Sequence, residues 1–116
     1  MNKKIRLRKN REFQVVYRRG KNFWNKNFTI FVRVTRKKQV RFGVSITKKF
    51  GKANKRNLVK RRIKEIIRLN VENLGLGYEM VILPKKNTLE IDYTELEKSL
   101  LKLMGFALKK VLDWEN

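Results

Sequence analysis

No cysteine and no histidine occur in the 116 residues of the chain. The first absence excludes a disulfide frame, a thiolate metal site and a cysteine nucleophile. The second removes the usual general base and the commonest metal ligand. There is one proline, Pro84, which does not divide domains, and no Pro/Gly/Ser linker, internal repeat or low-complexity tract. No apolar run approaches the roughly 18 residues that a membrane span needs. The N-terminal MNKKIRLRKN is basic but lacks the apolar stretch of a signal peptide. Together these predict a cytoplasmic protein. Acidic residues are scarce in one half only: residues 1–64 hold a single acid, Glu12.

That same half holds 24 Lys/Arg, so it carries +23 of a chain whose net charge is +21; residues 65–116 carry −2. Such self-repulsion disfavours a compact fold unless a polyanion relieves it, and nucleic acid is the default polyanion. An anionic membrane surface competes for the same charge, but it usually selects a basic amphipathic helix with large exposed apolar residues. The length suits one domain spanning 1–116. Hydrophobic residues make up 41% of the chain, including seven Phe, three Tyr and two Trp, enough for a small core.

Asn10 is a candidate cap for a helix over Arg11–Arg19 that Gly20 closes. Phe13, Val16 and Tyr17 share one face of it. Residues 27–35 and 40–47 alternate apolar and polar side chains, which predicts a hairpin with one core face and one polar face. A helix follows from Ala53 or Asn54 to a point before Gly75, then a buried strand over Tyr78–Leu83. Thr94 and Glu97 form a capping-box pattern. Beyond it Leu96, Leu100, Leu103, Ala107, Leu108 and Val111 mark a last amphipathic helix. The predicted fold is α+β, an αββαβα sandwich of helices on a small sheet.

Lys48–Arg68 holds ten Lys/Arg in 21 residues. On a helical wheel Val59, Ile63, Ile66, Ile67 and Leu74 form a core arc, while Lys60, Lys64, Asn57, Arg68 and Arg61 fall together beside it. Like charges at i,i+4 destabilise an isolated helix by a few tenths of a kcal/mol each, so the stripe makes sense if phosphates lie against it. A solvated helix face is the plainer explanation of a charge run, but this one lacks the interspersed acids such faces use. Lys48, Lys49, Lys52 and Lys55 extend the field around the helix start, whose free N–H groups suit a phosphate.

The run Gly51-Lys52-Ala53-Asn54-Lys55-Arg56-Asn57-Leu58-Val59-Lys60-Arg61-Arg62-Ile63-Lys64 resembles the RNR signature of the bacterial ribonuclease P protein subunit, G-N-A-V-x-R-N-x-x-K-R-x-x-R. Gly43-Val44-Ser45-Ile46-Thr47-Lys48-Lys49 resembles the family's G-x-S-V-S-K-K. Phe13-Gln14 with Tyr17 resembles its first helix, and Phe28–Phe31 its Q-F-V-x-Y strand. The departures are Lys52 for Asn, Asn54 for Val, Lys64 for Arg and Phe31 for Tyr. Lys64 exchanges a bidentate fork for a point charge.

The resemblance implies an accessory subunit that binds a large catalytic RNA and the 5′ leader of precursor tRNA, assisting endonucleolytic removal of that leader. It implies a left-handed βαβ crossover, a catalytic centre in the RNA, and a Mg²⁺ requirement of the ribonucleoprotein. No catalytic residue, bound cofactor or obligate protein partner is expected of the chain itself. By the resemblance, Lys48, Lys49, Lys52, Arg56, Asn57, Lys60, Arg61, Lys64 and Arg68 contact RNA. Phe13, Tyr17, Phe31, Arg33, Ser45 and Thr47 line a leader-binding cleft. From the residues alone, Phe31 among Thr29, Arg33, Ser45 and Thr47 reads as a stacking platform on an open sheet face. It reads as core if a helix covers that face, and Phe13 and Tyr17 read as a helix's core side. The rivals are a small basic ribosomal protein or RNA chaperone, a nuclease with its own metal site, and a DNA-binding module. The nuclease would need a carboxylate cluster, and the DNA module a helix-turn-helix pair.

Overall fold

The computed structural model describes residues 3–115. In chain order the elements are α1 (Asn10–Arg19), β1 (Lys21–Trp24), β2 (Phe28–Val34), β3 (Val40–Val44), α2 (Ala53–Asn70), β4 (Tyr78–Pro84) and α3 (Tyr93–Glu115), with short 3₁₀ turns at Lys3–Ile5, Lys48–Phe50, Val71–Asn73 and Lys86–Leu89. One mixed four-stranded sheet runs β1-β2-β4-β3. β1 and β4 pair antiparallel with β2, and β3 pairs parallel with β4.

The expected hairpin does not form: β4 lies between β2 and β3, and Phe31 and Gly43 both align with Val81. The reason is burial. Tyr78–Ile82 are buried without alternation, and a strand apolar on both faces belongs in the middle of a sheet. β3–α2–β4 is therefore a parallel crossover unit. The short β1 was not expected, because KNFW offers only four residues and no apolar alternation.

Two caps differ from the sequence reading. Asn10 is already helical; Lys9 is the N-cap, and the Glu12 carboxylate accepts the backbone N–H groups of Lys9 (2.8 Å) and Arg8 (3.0 Å). In α3 the carboxylate of Asp92 accepts Glu95 N–H at 2.8 Å, so the cap falls two residues before the expected Thr94. A carboxylate serves at both helix starts, Glu12 from the third helical position and Asp92 from the N-cap, because it accepts strongly and favours the positive helix end. At the end of α1 Gly20 is needed for space: a Cβ there would lie 2.5 Å from the Val16 carbonyl oxygen and 2.8 Å from that of Val32.

The sheet separates two clusters. On one face Phe28, Ile30, Val32, Phe42, Tyr78, Met80 and Ile82 pack with Val59, Ile63, Ile66 and Ile67 of α2 and with Leu96, Leu100, Leu103, Met104, Ala107, Leu108 and Val111 of α3. The apolar arcs read from the sequence face this core, with Leu74 partly buried against it. On the other face α1 covers a smaller group, Leu7, Val16 and Val81, flanked by half-buried Phe13, Tyr17, Phe31 and Leu83.

Candidate nucleic-acid interface

α1 crosses the second sheet face obliquely. At its start Glu12 reaches Arg41 of β3; at its end Gly20 abuts Val32 of β2. Val16 is its fully buried contact. Phe13 lies over Gly43, where a Cβ would sit 2.5 Å from the ring, so glycine in β3 makes room for that aromatic. Tyr17 meets Phe31 edge to face, with centroids 5.0 Å apart and rings at 80°. Such pairs add about 0.5–1.5 kcal/mol beyond burial. α1 thus covers part of the face and leaves Phe13, Tyr17 and Phe31 half-buried along its side.

Across a cleft of about 320 Å³ from Phe13 stands the basic flank of α2. Arg6, Leu7, Arg8, Phe13, Gly43, Val44, Lys60 and Lys64 line this space. The Lys64 ammonium is pushed below its usual pKa by burial, with Lys60 and Arg6 adding repulsion. No acid among the described residues pairs with Lys60 or Lys64, so their field points into the cleft. Lys48, Lys49, Lys52, Asn57 and Arg61 are exposed, with Lys52 capping α2. Ser45 is half-buried, its N–H on the Ile82 carbonyl at 2.9 Å, and Thr47 is exposed.

Three predicted contacts are already engaged within the protein. Arg56 donates to the Gly51 carbonyl at 2.6 Å and braces the loop entering α2. Arg68 forks onto Glu65, 2.6 Å and 3.0 Å, on the exposed surface. Arg33 lies one row beyond Phe31 and donates to Glu79 at 2.8 Å and 3.2 Å. Arg41 joins Glu79 from the other side and also bonds Glu12. Glu79 is 3% exposed, and an acid this buried persists only when paired. The network Glu12–Arg41–Glu79–Arg33 ties α1 to the sheet. The lone acid in an otherwise apolar strand, Tyr78–Leu83, was its signal in the sequence.

Among the described residues no group of three or more His, Cys, Asp or Glu is placed to hold a metal ion. No helix there is long and apolar enough to cross a membrane.

A ribonuclease P family model matches residues 1–107. The ribonuclease P protein component of Finegoldia magna is 48% identical over 110 residues, covering 95% of this chain and 96% of its own. That of Clostridium botulinum is 42% identical over 106 residues, covering 90% and 96%. The RNase P protein of Thermotoga maritima superposes with a TM-score of 0.79 at 33% identity, over 85% of this chain and 94% of that one. The Staphylococcus aureus RNase P protein gives 0.80 at 25% identity, over 88% and 94%. The chain belongs to the ribonuclease P protein family.

Proposed function

We propose that the chain is the cytoplasmic protein subunit of ribonuclease P, binding the catalytic RNA through its basic helix flank and the 5′ leader of precursor tRNA in the cleft beside α1. The observation that carries this is the cleft in which half-buried Phe13 faces the unpaired cations Lys60 and Lys64, with the edge-to-face pair Tyr17–Phe31 half-buried further along the same side of α1. Aromatic faces stack on unpaired bases while cations track the backbone. Lys48, Lys49, Lys52, Asn57 and Arg61 extend the phosphate-facing surface around the start of α2. Arg56 holds the loop while its remaining N–H groups are available to RNA, since a guanidinium has five donors.

The protein's part is to bind and orient. The holoenzyme's Mg²⁺ and the cleavage step are assigned to the RNA, and no cleavage step to a side chain. Gripping the leader raises the affinity of precursor over mature tRNA, which lacks it. The test is reconstitution with a bacterial ribonuclease P RNA at low Mg²⁺. The protein restores precursor cleavage, and the protein alone cleaves nothing. Cleavage by RNA-free protein, or no stimulation of the RNA, overturns the reading.

A further inference from the structure

We propose that Trp24 is the far end of the leader track, stacking on an unpaired nucleotide beyond the one held at Phe31. The inference rests on the leader-cleft reading and extends it to the sheet edge. Phe23 points toward α3, where it meets Phe106 edge to face at 6.1 Å. Side chains alternate along a strand, so Trp24 lies on the opposite face, the face of Phe31. Trp24 aligns with Thr29, and Phe31 with Asn22. α1 packs on β2 and β4, which leaves this corner uncovered, and Trp24 is 65% exposed.

The backbone that carries it is fixed. Asn25 Oδ1 accepts the N–H groups of Asn27 (2.9 Å) and Phe28 (2.8 Å), while Asn25 Nδ2 and Asn27 Nδ2 both donate to Ser99 Oγ of α3. Lys85 Nζ donates to the Asn25 carbonyl at 2.7 Å. A large aromatic held in solvent on an anchored turn contributes little to the core, but it loses little freedom on stacking. The exposed Lys26 adds positive charge beside it, in the half of the chain that carries +23. Charge and continuity with the cleft thus both select single-stranded RNA as the occupant. From β3 to β1 is three strand spacings, about 14 Å, the length of roughly four stacked nucleotides. A strand passing Lys60 at one side of the sheet reaches Trp24 at the other.

The test uses the holoenzyme with precursor tRNAs of graded leader length. Trp24→Ala weakens binding of long-leader precursors by about 5- to 150-fold, the range of one lost base stack. It leaves mature tRNA and precursors with one- or two-nucleotide leaders unchanged, and Trp24→Phe retains most of the affinity. In a Trp114→Phe background Trp24 is the only tryptophan, and its fluorescence quenches with long leaders but not short ones. Phe31→Ala measured alongside separates the two readings. If Phe31→Ala loses leader-dependent affinity and Trp24→Ala does not, the track ends before β1 and the cleft reading stands. If neither does, both fall. A Trp24→Ala defect in self-association with precursor affinity intact also overturns the proposal.

Discussion

On one face of the sheet Phe28, Ile30, Phe42, Met80 and Ile82 have no solvent exposure beneath α2 and α3; on the other, Phe13, Tyr17 and Phe31 keep part of their rings open beside α1. The same strands serve both. The difference lies in what covers them. Two long helices close the first face with an apolar arc each. The second gets ten residues of α1, held by one buried valine and an ion-pair network. The closed face makes the fold stable, and the half-closed face leaves aromatics available to a ligand.

Breaking the closed face has the largest expected effect. Ile63→Ala or Ile67→Ala, each fully buried, lowers stability by about 2–5 kcal/mol through lost burial and a residual cavity. Thermal or denaturant unfolding measures it. A variant that melts like the wild type would mean that this face of α2 is not the core.

The open face is sharpened by pH. Backbone N–H groups of Lys9 and Arg8 hold the Glu12 carboxylate well below its usual range, at about 2 against 4.5, and Arg41 adds to them. A depressed folded-state pKa contributes stability above the unfolded value, and the contribution is lost as pH falls through the folded one. Glu12 therefore supports the fold fully above about pH 5 and loses that support between about pH 4.5 and 2. Glu12→Gln flattens the acid limb of a stability–pH profile in that window. An unchanged profile refutes the assignment.

The legibility of the two faces also differed. The core arcs of α2 and α3 were readable because one periodicity fixes a whole face: Val59, Ile63, Ile66 and Ile67 lie where the wheel put them. Strand order was not readable, because alternation in 27–35 and 40–47 gives each strand's faces and says nothing of its neighbour. Only the unalternating burial of Tyr78–Ile82 hinted that β4 sits between them. In the site, the spacing of the motif brought Lys60 and Lys64 onto one flank of α2, whereas the ion pair that engages Arg33 was not readable. A basic residue two positions from Phe31 shares its face, but its partner Glu79 comes from a strand 46 residues away. β1 itself had no signal, because a four-residue edge strand carries no period.

Removing one ring from the open face has a moderate effect. Phe31→Ala weakens holoenzyme binding to precursor tRNA by about 1–3 kcal/mol, as for a lost base stack, and spares mature tRNA. Phe31→Tyr is tolerated, since it keeps the ring. Because Phe31 also supports Tyr17, thermal stability is measured beside the two affinities. Equal losses for both RNAs would place Phe31 on the side of the core.

The smallest effects belong to single cations on the cleft wall. Lys60→Ala removes a charge without disturbing the fold, because Lys60 is exposed and bonds to no described residue. One lost phosphate contact lowers the slope of log K against log salt for the catalytic RNA by about 0.7–0.9. Lys64 is different. Burial, Lys60 and Arg6 all work against its charged form, so a bound phosphate would relieve the repulsion as well as form a contact. Lys64→Arg restores a planar fork that stays charged in any surroundings and grips phosphate with two donors. It therefore binds RNA at least as tightly as wild type, with an unchanged salt slope, whereas Lys64→Ala loses both affinity and slope. If Lys60→Ala and Lys64→Ala leave affinity and slope untouched, the phosphates lie elsewhere on α2 and the two walls of the cleft do not act on the same strand.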